Sequence, residues 1–166
     1  MIGKKMEKAL NDQVNAELHS AYIYLAMAAY FEHKTLKGFA HWMHQQYNEE
    51  VGHAMKFFNF IVERGGRVQL QKIDEPPTDW DSPLAAFEAA YKHEVYISGR
   101  IHDLVKLSDE ENDLPAHYFL AWFVDEQVEE EASADAIVQQ LTLMKGAPGG
   151  LYMLDKELGR RTFTAE

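Results

Sequence analysis

The sequence predicts an all-α protein: a four-helix bundle with a long crossover between helices two and three and a short fifth C-terminal helix. Four long stretches carry apolar residues at the three-to-four spacing of a helix, and no stretch alternates as a half-buried strand would. A polar, proline-containing segment, residues 66–81, separates the first two helices from the next two. We expect residues 1–166 to form a single domain.

The first two helices are predicted at about Lys5–His33 and Leu36–Arg64. The apolar stripe of the first helix consists of Leu10, Val14, Leu18, Ala21, Leu25 and Ala28. Gly65-Gly66 should end the second helix, because glycine adopts the left-handed conformation of a C-terminal cap without strain. The turn around Lys34–Lys37 is short, so the two helices should be antiparallel.

The other helices are predicted at about Ser82–Leu107, from Asp113 or Leu114 to Lys145, and at about Gly150–Gly159. Ser82-Pro83 is a favoured N-cap followed by a proline in the first turn. The tight turn around Ser108–Asn112 makes the third and fourth helices antiparallel. The fifth helix has a single apolar stripe, which consists of Leu151, Leu154 and Leu158.

The crossover is long enough to span the bundle. A helix of about 27 residues is ~40 Å long, whereas about sixteen extended residues reach ~53 Å. Residues 66–81 can therefore run the length of the bundle and make the second and third helices parallel. Trp80 lies in this segment, and we interpret it as a packing anchor rather than a functional residue.

Composition and charge exclude several classes of function. The 166 residues are 46% hydrophobic, which argues against disorder, and no apolar run approaches the ~18 residues of a membrane span. The net charge of −11 argues against binding to nucleic acid or anionic lipid and suits cations. The sequence has no cysteine, which excludes disulfides and cysteine-held metal centres. The opening segment lacks the apolar region of a signal peptide, so we expect a cytoplasmic protein.

Each long helix carries an acidic residue on the stripe that should face the core. Glu17 interrupts the first stripe, Glu94 the third and Glu130 the fourth, and the second has both Glu50 and His53. One such residue would normally be a surface residue, and a lone Glu-x-x-His spacing is common by chance. Four helices that each supply an acid indicate a buried site.

These residues should also lie at one level of the bundle. Residues equidistant from the turn lie side by side in an antiparallel pair. The midpoint of Glu17 and His53 falls in the first turn, and that of Glu94 and Glu130 falls in the second. Glu50 and Glu94 lie at similar depths in parallel helices. The sequence therefore predicts that all five side chains converge on one site.

The two halves of the sequence repeat with an offset of 94 − 17 = 77 residues. This offset carries Glu17 to Glu94, Glu49 to Glu126, Glu50 to Gln127 and His53 to Glu130. A pseudo-two-fold bundle with ligands on facing helices is the expected frame for two metal ions.

A cluster of buried carboxylates needs compensating positive charge. Burying an unpaired carboxylate costs several kcal/mol, and neighbouring carboxylates repel each other. No lysine or arginine occurs on these stripes at the level of the cluster, so bound cations are the expected compensation. Oxygen-rich ligands with one imidazole suit iron, manganese or zinc.

These residues and their spacing resemble the ferritins, specifically the bacterial and archaeal non-haem ferritins, over nearly the whole chain. The resemblance implies a ferroxidase that oxidises Fe(II) to Fe(III) at a di-iron carboxylate site, with dioxygen or hydrogen peroxide as the oxidant. It further implies that the ferric mineral is stored in a shell of twenty-four copies. In that shell, the leucines of the fifth helix would pack at a symmetry axis.

The resemblance also assigns the iron ligands residue by residue. The first iron would be bound by Glu17, Glu50 and His53. The second would be bound by Glu50, Glu94 and Glu130, with Glu50 as the bridge and Gln127 alongside. A third iron, found in prokaryotic ferritins, would be bound by Glu49, Glu126 and Glu129. Tyr24 matches the tyrosine that members of the family keep near the site.

The sequence differs from several families related to the ferritins, and these differences restrict the resemblance to the non-haem ferritins. Bacterioferritins carry a second Glu-x-x-His, where this chain has Gln127 to Glu130. Their haem-binding methionine would fall at Val51, so we expect no haem. Rubrerythrins add a cysteine-rich domain, and DNA-protecting mini-ferritins lack the fifth helix.

Simpler interpretations stay open for several residues. Tyr24 has either a packing role or a redox or hydrogen-bonding role, Trp122 is interpreted as packing, and Glu131 as part of a solvated acidic face. Three functions remain: a ferroxidase with iron storage, a different di-iron enzyme such as a peroxidase or oxygenase, and a structural bundle with a vestigial site. The amount of iron retained per chain distinguishes them.

Overall fold

The computed structural model describes residues 1–145, 147 and 149–162, which form an all-helical bundle. The helices are α1 (Lys4–His33), α2 (Lys37–Glu63), α3 (Pro83–Glu110), α4 (Leu114–Leu143) and α5 (Gly150–Leu158). This arrangement confirms the predicted fold class, and the described residues include no strand. None of the five helices combines the length and apolar character that crossing a membrane requires.

Both short turns contain a residue in the left-handed conformation. Thr35 has a φ of 61° and Asn112 a φ of 52°. In each turn, the N–H of the next residue donates to the carbonyl oxygen five residues earlier, at 3.0 and 2.8 Å. The two positions are 112 − 35 = 77 residues apart, so the repeat found among the acidic residues extends to the turns. The α1–α2 and α3–α4 hairpins are therefore built alike.

The crossover between α2 and α3 runs along α1. It begins after Gly65, whose φ of 71° is that of the predicted left-handed cap. The N–H of Gln69 donates to Asn11 Oδ1 at 2.6 Å, and the ring of Trp80 lies 5.3 Å from that of Tyr30. Because Asn11 and Tyr30 lie towards opposite ends of α1, the segment spans the bundle and α2 and α3 run parallel. Trp80 packs against the core, as predicted.

A polar layer divides the core into two apolar clusters. The cluster near the α1–α2 turn, which we call the α5-side cluster, is rich in aromatic rings such as Phe31 and Phe87. The cluster at the other end, the far cluster, includes Leu10 and Phe57. On every long helix, the predicted acidic residues fall between the segments that enter the two clusters. The fold therefore holds these polar side chains between two blocks of packed side chains.

One position on the predicted stripe of α1 does not face the core. Leu25 is 36% exposed, whereas its neighbour Tyr24 is fully buried. Successive residues of a helix point about 100° apart, and the observed stripe passes through Ala21, Tyr24 and Ala28. The aromatic ring of Tyr24 thus occupies the place that the sequence pattern gave to Leu25.

Helix α5 docks against the start of α2 and caps it. The side chain of Asp155 accepts hydrogen bonds from the N–H groups of Gly38 and Phe39, at 2.8 and 3.1 Å. These donors belong to the first turn of α2, and the N-cap residue Leu36 makes no side-chain hydrogen bond. A Cβ atom on Gly38 would lie 1.6 Å from the carbonyl oxygen of Asp155, so the contact requires glycine.

This docking changes the expectation for the leucines of α5. Leu154 and Leu158 are 1% and 7% exposed and pack within the subunit, in the α5-side cluster. They are therefore already buried before any packing at a symmetry axis. The large apolar side chains that α5 leaves exposed are Tyr152 and Met153.

The two left-handed turn residues provide a test of backbone strain. A β-branched residue is strained at positive φ, whereas asparagine tolerates it. We expect Thr35→Asn to raise the free energy of unfolding by about 1 kcal/mol, and Asn112→Thr to lower it by a similar amount. Chemical denaturation of the metal-free protein measures both. Equal midpoints for the two variants and the wild type would contradict this interpretation.

Candidate metal centre

The polar layer contains the five side chains that the sequence placed at one level. Glu17, Glu50, His53, Glu94 and Glu130 are all between 0% and 5% exposed. Each projects inward because its helix presents that face to the bundle. On α2, the three-residue spacing puts Glu50 and His53 on the same face.

Two overlapping groups of side chains could hold metal ions, and the second group adds Glu126 to residues of the layer. One comprises Glu17, Glu50 and His53, and the other His53, Glu126 and Glu130. In each group, one ligand atom from every residue lies within 4.8 Å of the others. His53 Nδ1 is 3.6 Å from Glu50 Oε2, and His53 Nε2 is 3.9 Å from Glu126 Oε1. His53 therefore has a carboxylate at each ring nitrogen.

Glu94 belongs to neither of these groups of described residues, although it lies in the same layer. Its Oε1 accepts a hydrogen bond from Tyr24, and its Oε2 accepts one from Gln127 at 3.2 Å. The amide of Gln127 also donates to the Glu94 carbonyl oxygen and to Ser98. Both oxygens of Glu94 are thus engaged by protein donors, and metal binding there would have to share or replace these hydrogen bonds.

Three buried glutamines each donate to one carboxylate of the layer. The Nε2 atoms of Gln13, Gln46 and Gln127 lie 2.8, 2.8 and 3.2 Å from oxygens of Glu17, Glu130 and Glu94, respectively. Neither Gln13 nor Gln46 was predicted from the sequence as part of the site. Their positions in the sequence could have indicated this role, because each lies four residues before a predicted ligand and therefore on the same helical face.

The orientation of Gln13 is fixed from outside the layer. The Nε of Arg100 donates to Gln13 Oε1 at 3.0 Å. Because a guanidinium only donates, the amide oxygen must face Arg100 and the amide NH₂ must face Glu17. A chain of hydrogen bonds therefore runs from a half-buried arginine on α3 to a candidate ligand on α1.

Two carboxylate oxygens of the layer lack a donor. Glu17 Oε2 and Glu50 Oε2 are buried and accept no hydrogen bond from any described residue while both groups are ionised. A buried acceptor without a partner costs roughly 1–3 kcal/mol, and more when it is charged. A cation bound between Glu17, Glu50 and His53 would satisfy both oxygens, and this donor set suits iron.

Burial strongly affects protonation in the layer. Together with the charges of neighbouring carboxylates, it raises the pKa of Glu50 well above its usual range. Burial raises the pKa of Glu94 to about 7, against opposing hydrogen bonds from Tyr24 and Gln127. Burial and nearby carboxylates raise the pKa of Glu130 to about 8. The metal-free layer therefore carries protons near neutral pH, and a bound cation would displace them.

The two aromatic residues near the layer have distinct surroundings. Burial and the neighbouring carboxylates raise the pKa of Tyr24 well above its usual range, so its phenol keeps the proton that it donates to Glu94. The ring of Tyr24 also packs edge-on against Trp42, with centroids 6.4 Å apart. Trp122 packs edge-on against His53, with centroids 5.6 Å apart.

The residues expected for a third iron lie at the rim of the layer. Glu126 and Glu49 are half-buried, and Glu129 is exposed. Glu49 Oε2 forms an ion pair with Arg161 Nη2 at 2.6 Å, a contact for which the sequence carried no signal. Glu131 is half-buried rather than solvated, because it accepts a hydrogen bond from a buried serine of α3.

The raised pKa values predict how the stability of the metal-free protein depends on pH. An acid whose pKa is higher in the folded state stabilises the fold fully below its unfolded pKa, about 4.5, and loses this contribution as pH rises through the folded value. We therefore expect the free energy of unfolding to fall between about pH 4.5 and 8 in the presence of a chelator. Glu50→Leu should raise stability at pH 8 by roughly 1–3 kcal/mol and flatten this dependence.

Two variants control this prediction. Glu94→Leu should stabilise less than Glu50→Leu, because it leaves the hydroxyl of Tyr24 without its acceptor and removes one of the acceptors of the Gln127 amide. Glu88→Leu makes the same change at an exposed position of α3 and should leave the pH dependence unaltered. Denaturant titrations from pH 5 to 8.5 provide the measurement. A wild-type stability that rises over this range would show that the layer is not electrostatically strained.

Comparisons with known proteins agree with this architecture. The ferritin-like domain family matches residues 7–144. A bacterial non-heme ferritin of Bacteroides fragilis (strain 638R) is 42% identical over 161 residues, which cover 97% of this chain and 100% of the relative. A bacterial non-heme ferritin of Staphylococcus aureus (strain MRSA252) is 37% identical over 166 residues and covers both chains completely.

Solved structures of archaeal ferritins are also similar. An engineered closed form of the Archaeoglobus fulgidus ferritin superposes with a TM-score of 0.98 at 55% identity and covers 99% of this chain and 100% of that one. An open-pore ferritin of the same archaeon gives a TM-score of 0.97 at 54% identity, with coverages of 98% and 100%. With its crossover bundle and its layer of inward-facing carboxylates, the chain belongs to the ferritin family.

Proposed function

We propose that this protein oxidises Fe(II) at the polar layer and stores the ferric product inside a shell built from its own copies. The observation that carries the proposal is the buried group of Glu17, Glu50 and His53, whose ligand atoms lie within 4.8 Å of one another and in which Glu17 Oε2 and Glu50 Oε2 lack a protein donor among the described residues. Membership of the ferritin family and the similarity to proteins named bacterial non-heme ferritins support iron as the metal.

In this proposal, the ligands have distinct roles. Glu17, Glu50 and His53 bind one iron, and Glu50 bridges to a second iron near Glu94 and Glu130, with Gln127 beside it. Glu50 suits a bridging role because it is fully buried and no described glutamine donates to it. Tyr24 fixes one oxygen of Glu94 through its hydrogen bond. Glu49, Glu126 and Glu129 provide a further iron position at the rim.

The charge of the layer favours oxidation of the bound metal. Several carboxylates in a medium of low dielectric constant stabilise Fe(III) more than Fe(II), because the interaction grows with the charge of the cation. Two Fe(II) ions give up two electrons, which reduce dioxygen to hydrogen peroxide or hydrogen peroxide to water. Two protons are consumed in either case. The protons displaced from Glu94 and Glu130 when iron binds are one source for them.

Iron oxidation and retention test this function. Glu17→Ala, Glu50→Ala and Glu130→Ala should each slow the initial oxidation of Fe(II) by at least about tenfold, because each removes a ligand. Glu88→Ala, an exposed acid of α3, should leave the rate unchanged. The measurements are stopped-flow absorbance under air and the iron retained per chain after gel filtration.

The amount of iron retained distinguishes the three functions considered from the sequence. An iron store retains far more than two irons per chain, another di-iron enzyme retains about two, and a vestigial site retains none. Unchanged initial rates in all three ligand variants would overturn the proposed site. Rapid oxidation with only about two irons retained would overturn storage but not oxidation.

The shell of twenty-four copies is the second part of the proposal. Similarity to archaeal ferritins over almost the full length supports it, as do exposed apolar side chains such as Tyr152 and Met153 on α5. Light scattering should give a mass many times that of the 19.1 kDa chain. Met153→Asp should shift the protein towards smaller species, because a charge would be buried on assembly. A monomer or dimer under every salt and metal condition would contradict this prediction.

A further inference from the structure

We propose that the guanidinium of Arg161 forms an ion pair with Glu49 until a metal ion binds at the rim and displaces it. Binding of a metal ion at the rim and docking of residues 159–162 would then exclude each other. The inference rests on the proposed function, because Glu49 is one of the three residues proposed to bind a third iron.

The segment after α5 folds back onto α2 and makes contacts along one side of that helix. Arg161 Nη2 lies 2.6 Å from Glu49 Oε2. The guanidinium carbon of Arg161 lies 4.6 Å from the ring centroid of Trp42, in a cation–π contact. The carbonyl oxygen of Arg161 lies 2.6 Å from His41 Nε2, within hydrogen-bond distance. These contacts hold a positive charge at the rim of the layer.

The ion pair competes directly with metal coordination. An oxygen atom that lies 2.6 Å from a guanidinium nitrogen has no room for a metal ion on the same side. Glu49 belongs to neither group of close ligand atoms in the described part of the chain, although the negative charge of Glu126 acts on it. The rim site is therefore incomplete while Arg161 is docked.

The ion pair between Arg161 and Glu49 is also weak enough for a metal ion to replace Arg161. Its guanidinium has a single nitrogen on the carboxylate, and the other terminal nitrogen, Nη1, is buried with no hydrogen-bond partner among the described residues. By contrast, the guanidinium of Arg64 donates two parallel hydrogen bonds to the carboxylate of Asp113, at 2.9 and 3.1 Å. Two parallel bonds make the stronger arrangement, and an unpaired buried donor is a cost. A divalent ion brings twice the charge and several coordination bonds, so it can replace Arg161.

The coupling must act in both directions. If docking of Arg161 weakens metal binding at the rim, then metal binding must weaken docking of residues 159–162 by the same factor. The docking of residues 159–162 would thus depend on whether a metal ion is bound at the rim. In the metal-free protein, the same arginine limits the repulsion between Glu49 and Glu126.

Zinc is a suitable probe, because it binds carboxylate and imidazole ligands and is not oxidised. Arg161→Gln removes the charge and keeps a polar side chain of similar length. Arg160→Gln is the matched control, because it makes the same change in net charge at the adjacent, exposed position. Isothermal titration of the assembled apoprotein with Zn²⁺ gives the number and affinity of ions per chain, and circular dichroism verifies that the helices are retained.

We expect the ions bound by the polar layer to bind alike in all variants. An additional, weaker ion should bind roughly five- to fiftyfold more tightly in Arg161→Gln than in Arg160→Gln or wild type. In a Glu49→Gln background, Arg161→Gln should have no effect, because the shared partner is gone. The rate of hydrogen exchange in a peptide that contains residues 159–162 should increase when the wild type binds more Zn²⁺ ions than the polar layer holds.

The outcomes separate this inference from the proposed function. Equal affinities in Arg161→Gln and Arg160→Gln, or an effect that persists in Glu49→Gln, would overturn the role of Arg161. Binding confined to the polar layer in every variant would overturn it as well and leave the proposed oxidation site standing. Absence of Zn²⁺ binding at the layer itself would overturn the proposed function.

Discussion

The structure depends on one constraint: several carboxylates must be kept together inside a helical bundle, where burial and neighbouring charges disfavour their ionised form. Their mutual repulsion and desolvation push the layer towards protonation, so the site exists only because the rest of the chain fixes it. The packed α5-side and far clusters lie on either side of the layer and bring all four long helices to the same level. Because those clusters supply the hydrophobic stabilisation, the layer can be specialised for cations.

Within the layer, neutral donors rather than charged ones hold the carboxylates. An arginine or lysine in the place of Gln13, Gln46 or Gln127 would neutralise its partner and compete with a metal ion. A glutamine orients a carboxylate and leaves its charge available. Among the described residues, arginine contacts this network one step further out, where Arg100 orients Gln13, and at the rim, where Arg161 pairs with Glu49. Distance from the centre therefore separates groups that orient the candidate ligands from the arginine that, in our proposal, takes the place of a cation.

The sequence could predict the fold because its signals were local and repeated. Helical periodicity, the Gly65 cap, the Ser82-Pro83 start and the length of the crossover each limited the topology, and the midpoints of the acidic pairs limited the level of the acids. The sequence could not predict contacts that join distant segments. The pairing of Arg161 with Glu49 spans 112 residues, and nothing in the spacing of either residue indicates it. The position of Glu94, held by Tyr24 and Gln127 rather than grouped with Glu50, likewise depends on rotamers that periodicity does not encode.

The cap that Asp155 places on α2 has a consequence for the order of synthesis. A ribosome releases the α1–α2 hairpin, with Glu17, Glu50 and His53, long before it releases α5. Until then, the first turn of α2 lacks the acceptor that Asp155 supplies to Gly38 and Phe39. The nascent hairpin is therefore less stable at its turn than the finished chain, and the last segment translated completes one of the first helices. Premature termination before Asp155 would thus weaken a helix that is itself fully translated and that carries the candidate ligands Glu49, Glu50 and His53.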